Sequence, residues 1–177
     1  MTDQQDVSRR DFLRRLGALG VVGIGTPSLI VACDSSGGNE RKIAQTFQVT
    51  VGKIDPSYPW SDQNDFGTAY AMDGDVGSVL TLQRGKRYEF ALQDSVAEGP
   101  NGGVHPFYIG TTAEGQGGDE FSQGVENAKS TSGSVFFEVP DSAPNTLYYQ
   151  CSNHVYMGGE IEVIDGQGGG NSDDGSY

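Results

Sequence analysis

The sequence predicts an all-β fold, a Greek-key β-sandwich of seven to eight short strands. Two observations predict it. Along the centre of the chain apolar residues alternate with polar ones, the period of a strand with one buried face. The runs are short and are separated by turn-forming residues, with 27 glycines in 177 residues, as in sandwiches rather than helical folds.

The elements follow in order. In "TFQVTVGKI", Phe47, Val49 and Val51 share one face, and Gln48 and Thr50 the other. "SVLTLQRGKRYEFALQD" reads as two strands around a turn at Arg84-Gly85-Lys86, with Leu80 and Leu82 inward on the first and Tyr88, Phe90 and Leu92 on the second. "VHPFYIG" is a short apolar strand. "GSVFFEVP" is another, closed by Pro140. "NTLYYQC" and "GEIEVID" are the last two, Ile161 and Val163 pointing in and Glu160 and Glu162 out. Two long irregular stretches separate the strands. Residues 55–67 contain Trp60, read as a core or rim aromatic. Residues 113–132 are rich in Gly, Ser and acids and read as a mobile loop. No internal repeat is present.

The ends of the chain read differently. Residues 1–32 form an address: Arg9 and Arg10 in "SRRDFL", then an apolar run from Leu16 to Val31. That run is shorter than the roughly 20 residues a membrane span needs, and a basic flank before it marks an export signal. "SRRDFL" resembles a twin-arginine signal, and "LIVAC" resembles a lipoprotein box with Cys33 as the lipid acceptor. An uncleaved apolar anchor helix is the alternative. Both place the folded part outside the cytoplasmic membrane. Residues 33–43 read as a flexible tether, 44–165 as the folded domain, and 166–177 as a disordered acidic tail.

Charge narrows the partners. The chain carries −13 overall, and its first 32 residues hold four Arg and three Asp, so their removal leaves −14. Nucleic-acid binding, which needs a basic face, is excluded. With only four lysines, the acidic surface resembles that of halophilic proteins. Nothing resembles a serine triad or a phosphate-cradling loop, so no enzymatic chemistry is expected. "GQGGGN" lies in the tail, not between strand and helix, and is no nucleotide fingerprint.

The chemistry is concentrated in "YYQCSNHVYMGG". Cys151, His154 and Met157 stand at C-x-x-H-x-x-M spacing, and the only other histidine, His105, lies in "HPFYI". Two cysteines in an exported chain also suggest a disulfide, but lipidation of Cys33 leaves Cys151 a lone thiol. A buried inert thiol, a half-exposed histidine and a core methionine would explain each residue singly. Jointly, two imidazoles, a thiolate and a thioether suit copper best. Zinc is less suited, because a thioether is a poor zinc ligand. Met72, in "YAMDG", reads as packing. Gly158-Gly159 would allow a sharp return into the last strand.

From about Tyr70 to Ile164 the chain resembles the cupredoxins, the type 1 blue-copper proteins. The order "LTLQRGKRYEFALQD", "HPFYI", "VPDSAPNTLYYQCSNHVYMGG" follows that family's ligand-bearing strands, and the short loop is amicyanin-like, shorter than in plastocyanins. The resemblance implies a cupredoxin-like sandwich binding one type 1 copper ion. His105, Cys151 and His154 would be equatorial ligands and Met157 the axial one, with His105 closing the site across the sheets. It implies a monomer that carries single electrons to and from a redox protein, docking by a rim at Val155 and Tyr156. A cell-surface structural or adhesion domain and a copper-scavenging protein are the alternatives. One departure matters: many cupredoxins have Asn after the first histidine, tying the two ligand loops together, and here Pro106 stands there.

Overall fold

Among the described residues ten strands form two facing sheets, and the core lies between them. The structure is a computed structural model that describes residues 41–99 and 103–166. Arg9, Arg10, Cys33, the export segment and nearly all of the tether and tail lie outside the described residues. The first sheet holds β1 (Ile43–Lys53), β2 (Thr68–Met72), β3 (Asp75–Val76), β5 (Arg87–Leu92), β7 (Val125–Glu126) and β8 (Gly133–Glu138), in the order β3-β2-β1-β5-β8-β7. The second holds β4 (Leu80–Gln83), β6 (Phe107–Gly110), β9 (Thr146–Cys151) and β10 (Gly159–Ile164), in the order β4-β10-β9-β6. One helical turn, α1 (Asp94–Ala97), joins β5 to β6. β3 and β7 are only two residues long, which leaves eight substantial strands, as expected.

The alternation read from the sequence is the packing. Phe47, Val49 and Val51, Leu80 and Leu82, Tyr88, Phe90 and Leu92, and Ile161 and Val163 are all buried in one core. Met72 is buried there too, and Trp60 packs edge-on against Tyr58 and Tyr148 at its rim. The chain crosses repeatedly between sheets: the Arg84-Gly85-Lys86 turn carries it from β4 in one to β5 in the other. The sheets are mixed rather than purely antiparallel, because β1 runs parallel to β5 and β4 parallel to β10. A strand that returns from the opposite sheet can lie beside an earlier one in the same direction, and side-chain alternation does not report direction.

Residues 113–132 differ from the expected mobile loop. Asp119 accepts hydrogen bonds from the Tyr108 hydroxyl (2.6 Å) and from the amide (2.7 Å) and hydroxyl (2.9 Å) of Thr112. Burial pulls the Asp119 pKa up, but these donors outweigh it and hold the carboxyl below its usual range. Gly115 bridges to Val155, and Lys129 pairs with Glu120. The segment therefore covers the outer face of the second sheet. This is why all four residues of β6 are buried, and why Gln150 is buried although it points away from the core.

Candidate metal centre

β9 delivers the thiol. Leu147, Tyr149 and Cys151 point inward in alternation and are fully buried, so the sulfur continues the core-facing register of its strand. Cys151 forms no disulfide. β6 is the neighbour of β9 in the same sheet, with Phe107 opposite Cys151. His105, two residues before β6, thus reaches the site from within one sheet rather than across the two. Below them Phe107 packs against Tyr70, Phe90 and Tyr149 with ring centroids 5.1 to 6.3 Å apart. Such aromatic pairs each add roughly 0.5–1.5 kcal/mol beyond area burial and give the site a stiff floor.

Three predicted donors converge. His105 Nδ1 and His154 Nδ1 are 3.1 Å apart, and Cys151 Sγ lies 3.9 Å from the first and 3.5 Å from the second. The point equidistant from the corners of that triangle lies about 2 Å from each, close to the roughly 2.0–2.3 Å bonds that imidazole and thiolate make to a divalent first-row ion. They are the candidate cluster of metal-binding side chains among the described residues. Burial, then the neighbouring His154, lowers the His105 pKa to about 4, and burial lowers that of His154. Both rings are therefore neutral at pH 7 and offer a lone pair. Burial pushes the Cys151 thiol up, opposed by the amides of Asn153 and His154 and by the Tyr70 hydroxyl. Two nitrogens and a soft sulfur in one plane-forming cluster fit one type 1 copper ion. Met157 is fully buried three residues beyond His154, in the same core cluster as Cys151.

The loop of residues 151–158 is held from three sides. The 113–116 segment braces it: Gln116 N donates to Cys151 O (3.0 Å), Tyr156 N to Glu114 O (2.8 Å), and Gln150 Nε2 to Ala113 O (2.7 Å). The 55–67 stretch braces it too. The Tyr58 hydroxyl lies 2.8 Å from the carbonyl oxygens of both Tyr156 and Gly158. Asn64 uses its full capacity, donating to Thr68 O and Tyr156 O and accepting from the amides of Phe66 and Gly67. The third side is the segment that bears His105: Ser152 N donates to Pro106 O (3.0 Å), and Asn153 Nδ2 to Val104 O (2.9 Å).

The return into β10 also differs from expectation. Neither Gly158 nor Gly159 has a positive φ; Tyr156 takes that conformation instead, with φ of 49°. The glycines are required by crowding. A Cβ on Gly158 would overlap the Tyr149 carbonyl oxygen, and one on Gly159 would overlap the Tyr149 ring.

Some site residues are not visible in the sequence pattern. Phe66 packs edge-on against the His154 ring, with centroids 4.3 Å apart. Phe66 and Val104 are 45% and 47% exposed, whereas Val155 and Tyr156 are half-buried. Phe66 and Val104 are thus more exposed than the Val155 and Tyr156 expected as a rim. Tyr70, fully buried, donates its hydroxyl to His105 O at 2.7 Å. A long-range contact leaves no local signal, so none of these could be paired with the motif by spacing alone.

The class defined by fold and site is a two-sheet β-sandwich with a His–Cys–His cluster at one end. No protein-family model and no curated protein matches the chain. Solved structures similar to it include rusticyanin from Thiobacillus ferrooxidans, at 15% identity over 67% of this chain and 77% of that one, TM-score 0.36. A second structure of the copper protein rusticyanin (14%, 67% and 78%, TM-score 0.36) and a reduced rusticyanin (14%, 67% and 79%, TM-score 0.33) are also similar. The copper fit itself rests on His105, Cys151 and His154.

Proposed function

We propose that this chain is a blue-copper protein that carries single electrons between redox proteins outside the cytoplasmic membrane. The observation that carries the reading is the triangle of His105 Nδ1, His154 Nδ1 and Cys151 Sγ. Copper bound there supplies one-electron exchange between Cu(II) and Cu(I). The chain's own residues supply the rest. His105 and Cys151 are buried, 4% and 0% exposed, so solvent is kept from two of the donors. The hydrogen bonds on the loop hold the donors in place before any metal arrives, which limits rearrangement between charge states. Met157 is the proposed axial ligand; with it the donor set has no open position for a substrate, so a carrier is favoured over an enzyme. The Cys-x-x-His-x-x-Met loop supports an amicyanin-like subtype. His154 is the donor nearest solvent, and the Phe66 and Val104 rim beside it suits brief docking of a redox protein by a monomer.

The location belongs to the same proposal. "SRRDFL" with Arg9 and Arg10 supports twin-arginine export, and "LIVAC" supports lipid attachment at Cys33, with the domain facing the extracytoplasmic side.

Two experiments test these parts separately. Cu(II) added to the metal-free chain is expected to give an intense visible thiolate-to-copper band that saturates at one equivalent. A correctly folded chain, shown by circular dichroism, with no charge-transfer band would overturn the copper reading. Cys33→Ser is expected to release the protein to the medium or block its processing; unchanged retention in membranes would argue for an uncleaved apolar anchor.

A further inference from the structure

The backbone around His105 is anchored at three consecutive carbonyls. Val104 O accepts from Asn153 Nδ2 (2.9 Å), His105 O from the Tyr70 hydroxyl (2.7 Å), and Pro106 O from Ser152 N (3.0 Å). The His105 amide is used as well, donating to Val96 O at 2.9 Å. Two of the three carbonyls are therefore gripped by neighbouring residues of the loop that bears Cys151 and His154. Pro106 has no N–H and no side-chain donor, so it cannot make such a tie from its own side. Asn153 makes one in the reverse direction, from the cysteine loop to the histidine segment.

Asn153 has a second contact. Its backbone N–H points at Cys151 Sγ from 3.4 Å. A single residue thus touches the sulfur through its main chain and the His105 segment through its side chain. We propose that Asn153 is a positioning residue that sets the spacing of His105 against Cys151 and His154, and through its amide adjusts the charge density on the sulfur. This rests on the copper reading for its consequence, but the tie itself exists without metal. The Ser152–Pro106 bond cannot replace it. It ties the loop to the far side of His105; on the near side the His105 amide is held by Val96, and the tie to the loop runs through Asn153.

The physical expectation follows from the donor inventory. The amide of Asn153 donates to a carbonyl; an aspartate of the same shape has only acceptors when ionised. Asn153→Asp therefore breaks the bond and sets two acceptors face to face, while Asn153→Ala simply removes it. Asn153 is exposed, so neither change leaves a buried cavity, and both variants are expected to fold.

Two readouts test the inference. The first uses metal-free protein: amide hydrogen exchange at Val104, His105 and the 152–155 loop should speed up in both variants, with exchange in β5 and β8 unchanged. The second uses Cu(II): partners that orient metal ligands are worth about 10–100-fold in affinity. Both variants should bind Cu(II) at least about tenfold more weakly, with an altered electron paramagnetic resonance spectrum and reduction potential. If the parent chain shows the thiolate band and the variants match it in affinity, spectrum and potential, the inference is wrong and the copper reading stands. If the parent chain shows no band but the variants exchange faster, the copper reading fails and the tie stands. Unchanged exchange in both variants overturns the tie.

Discussion

Cys151→Ser is expected to abolish the visible copper band proposed for this protein while leaving its fold in place. The band requires a thiolate bonded to Cu(II), and a serine hydroxyl is neither soft nor ionised near neutral pH. Among the described residues the sulfur is the only thiol, 3.5 Å from His154 Nδ1 and 3.9 Å from His105 Nδ1, so no other described side chain can take its place. The fold is expected to tolerate the change. Serine is slightly smaller than cysteine, and the neutral imidazole nitrogens can accept a hydrogen bond from the new hydroxyl. The cost of burying it should fall near the lower end of the roughly 1–3 kcal/mol found for buried hydroxyls. Two measurements check this together. Circular dichroism and thermal melting of the metal-free variant should stay close to the parent, and Cu(II) titration should give no intense band. A retained band would show that the sulfur is not the donor.

Gly158→Ala has the opposite profile, damaging the fold before any question of metal arises. A Cβ there would overlap the Tyr149 carbonyl oxygen and come within 2.8 Å of the Gln150 side chain. Both neighbours belong to β9, which is hydrogen-bonded between β6 and β10, so neither can retreat without breaking the sheet. The Gly158 carbonyl also lies 2.8 Å from the Tyr58 hydroxyl and would shift with the residue. Forcing even small groups into packed space costs about 1–3 kcal/mol and sometimes more; backbone overlap places this variant at about 3 kcal/mol or above. The melting temperature of the metal-free protein should fall by roughly 10 °C or more. A melting curve that superposes on the parent would mean that the β9–β10 connection is looser than described.

Much of this was legible in the sequence, for reasons particular residues make plain. Phe47, Val49 and Val51 face inward because a strand with one wet face must alternate, and a reader can count by two. The cluster of His105, Cys151 and His154 was legible because both histidines and the thiol fell in two short segments. What was not legible was whatever depends on a partner distant in sequence. β2, "TAYAM", is buried throughout, so it shows no alternation and is absent from the strands read from the sequence. The parallel pairing of β1 with β5 was hidden because parallel and antiparallel strands share one side-chain period. Residues 113–132 look like a loose loop by composition. Their order comes from Asp119, a single carboxylate with three donors around it. Gly158 and Gly159 were read as turn residues, when the Tyr149 backbone and ring set the need for glycine. Phe66 lies 88 positions before His154, and no spacing rule connects them. The missing tether at Pro106 is the sharpest case: the sequence shows the loss at one loop, and only the structure shows Asn153 on the other.

The central place of β9 in its sheet has a consequence for how the protein comes apart. An interior strand is released only when both of its neighbours give way, so Cys151 belongs to the slowest-opening part of the molecule. His154 lies beyond the strand end, on a loop whose fastenings are individual hydrogen bonds that break one at a time. The two halves of the donor set therefore sit on opposite rungs of the opening hierarchy. Small reagents meet His154 in brief local excursions, while the thiol stays sheltered until the sheet itself unzips.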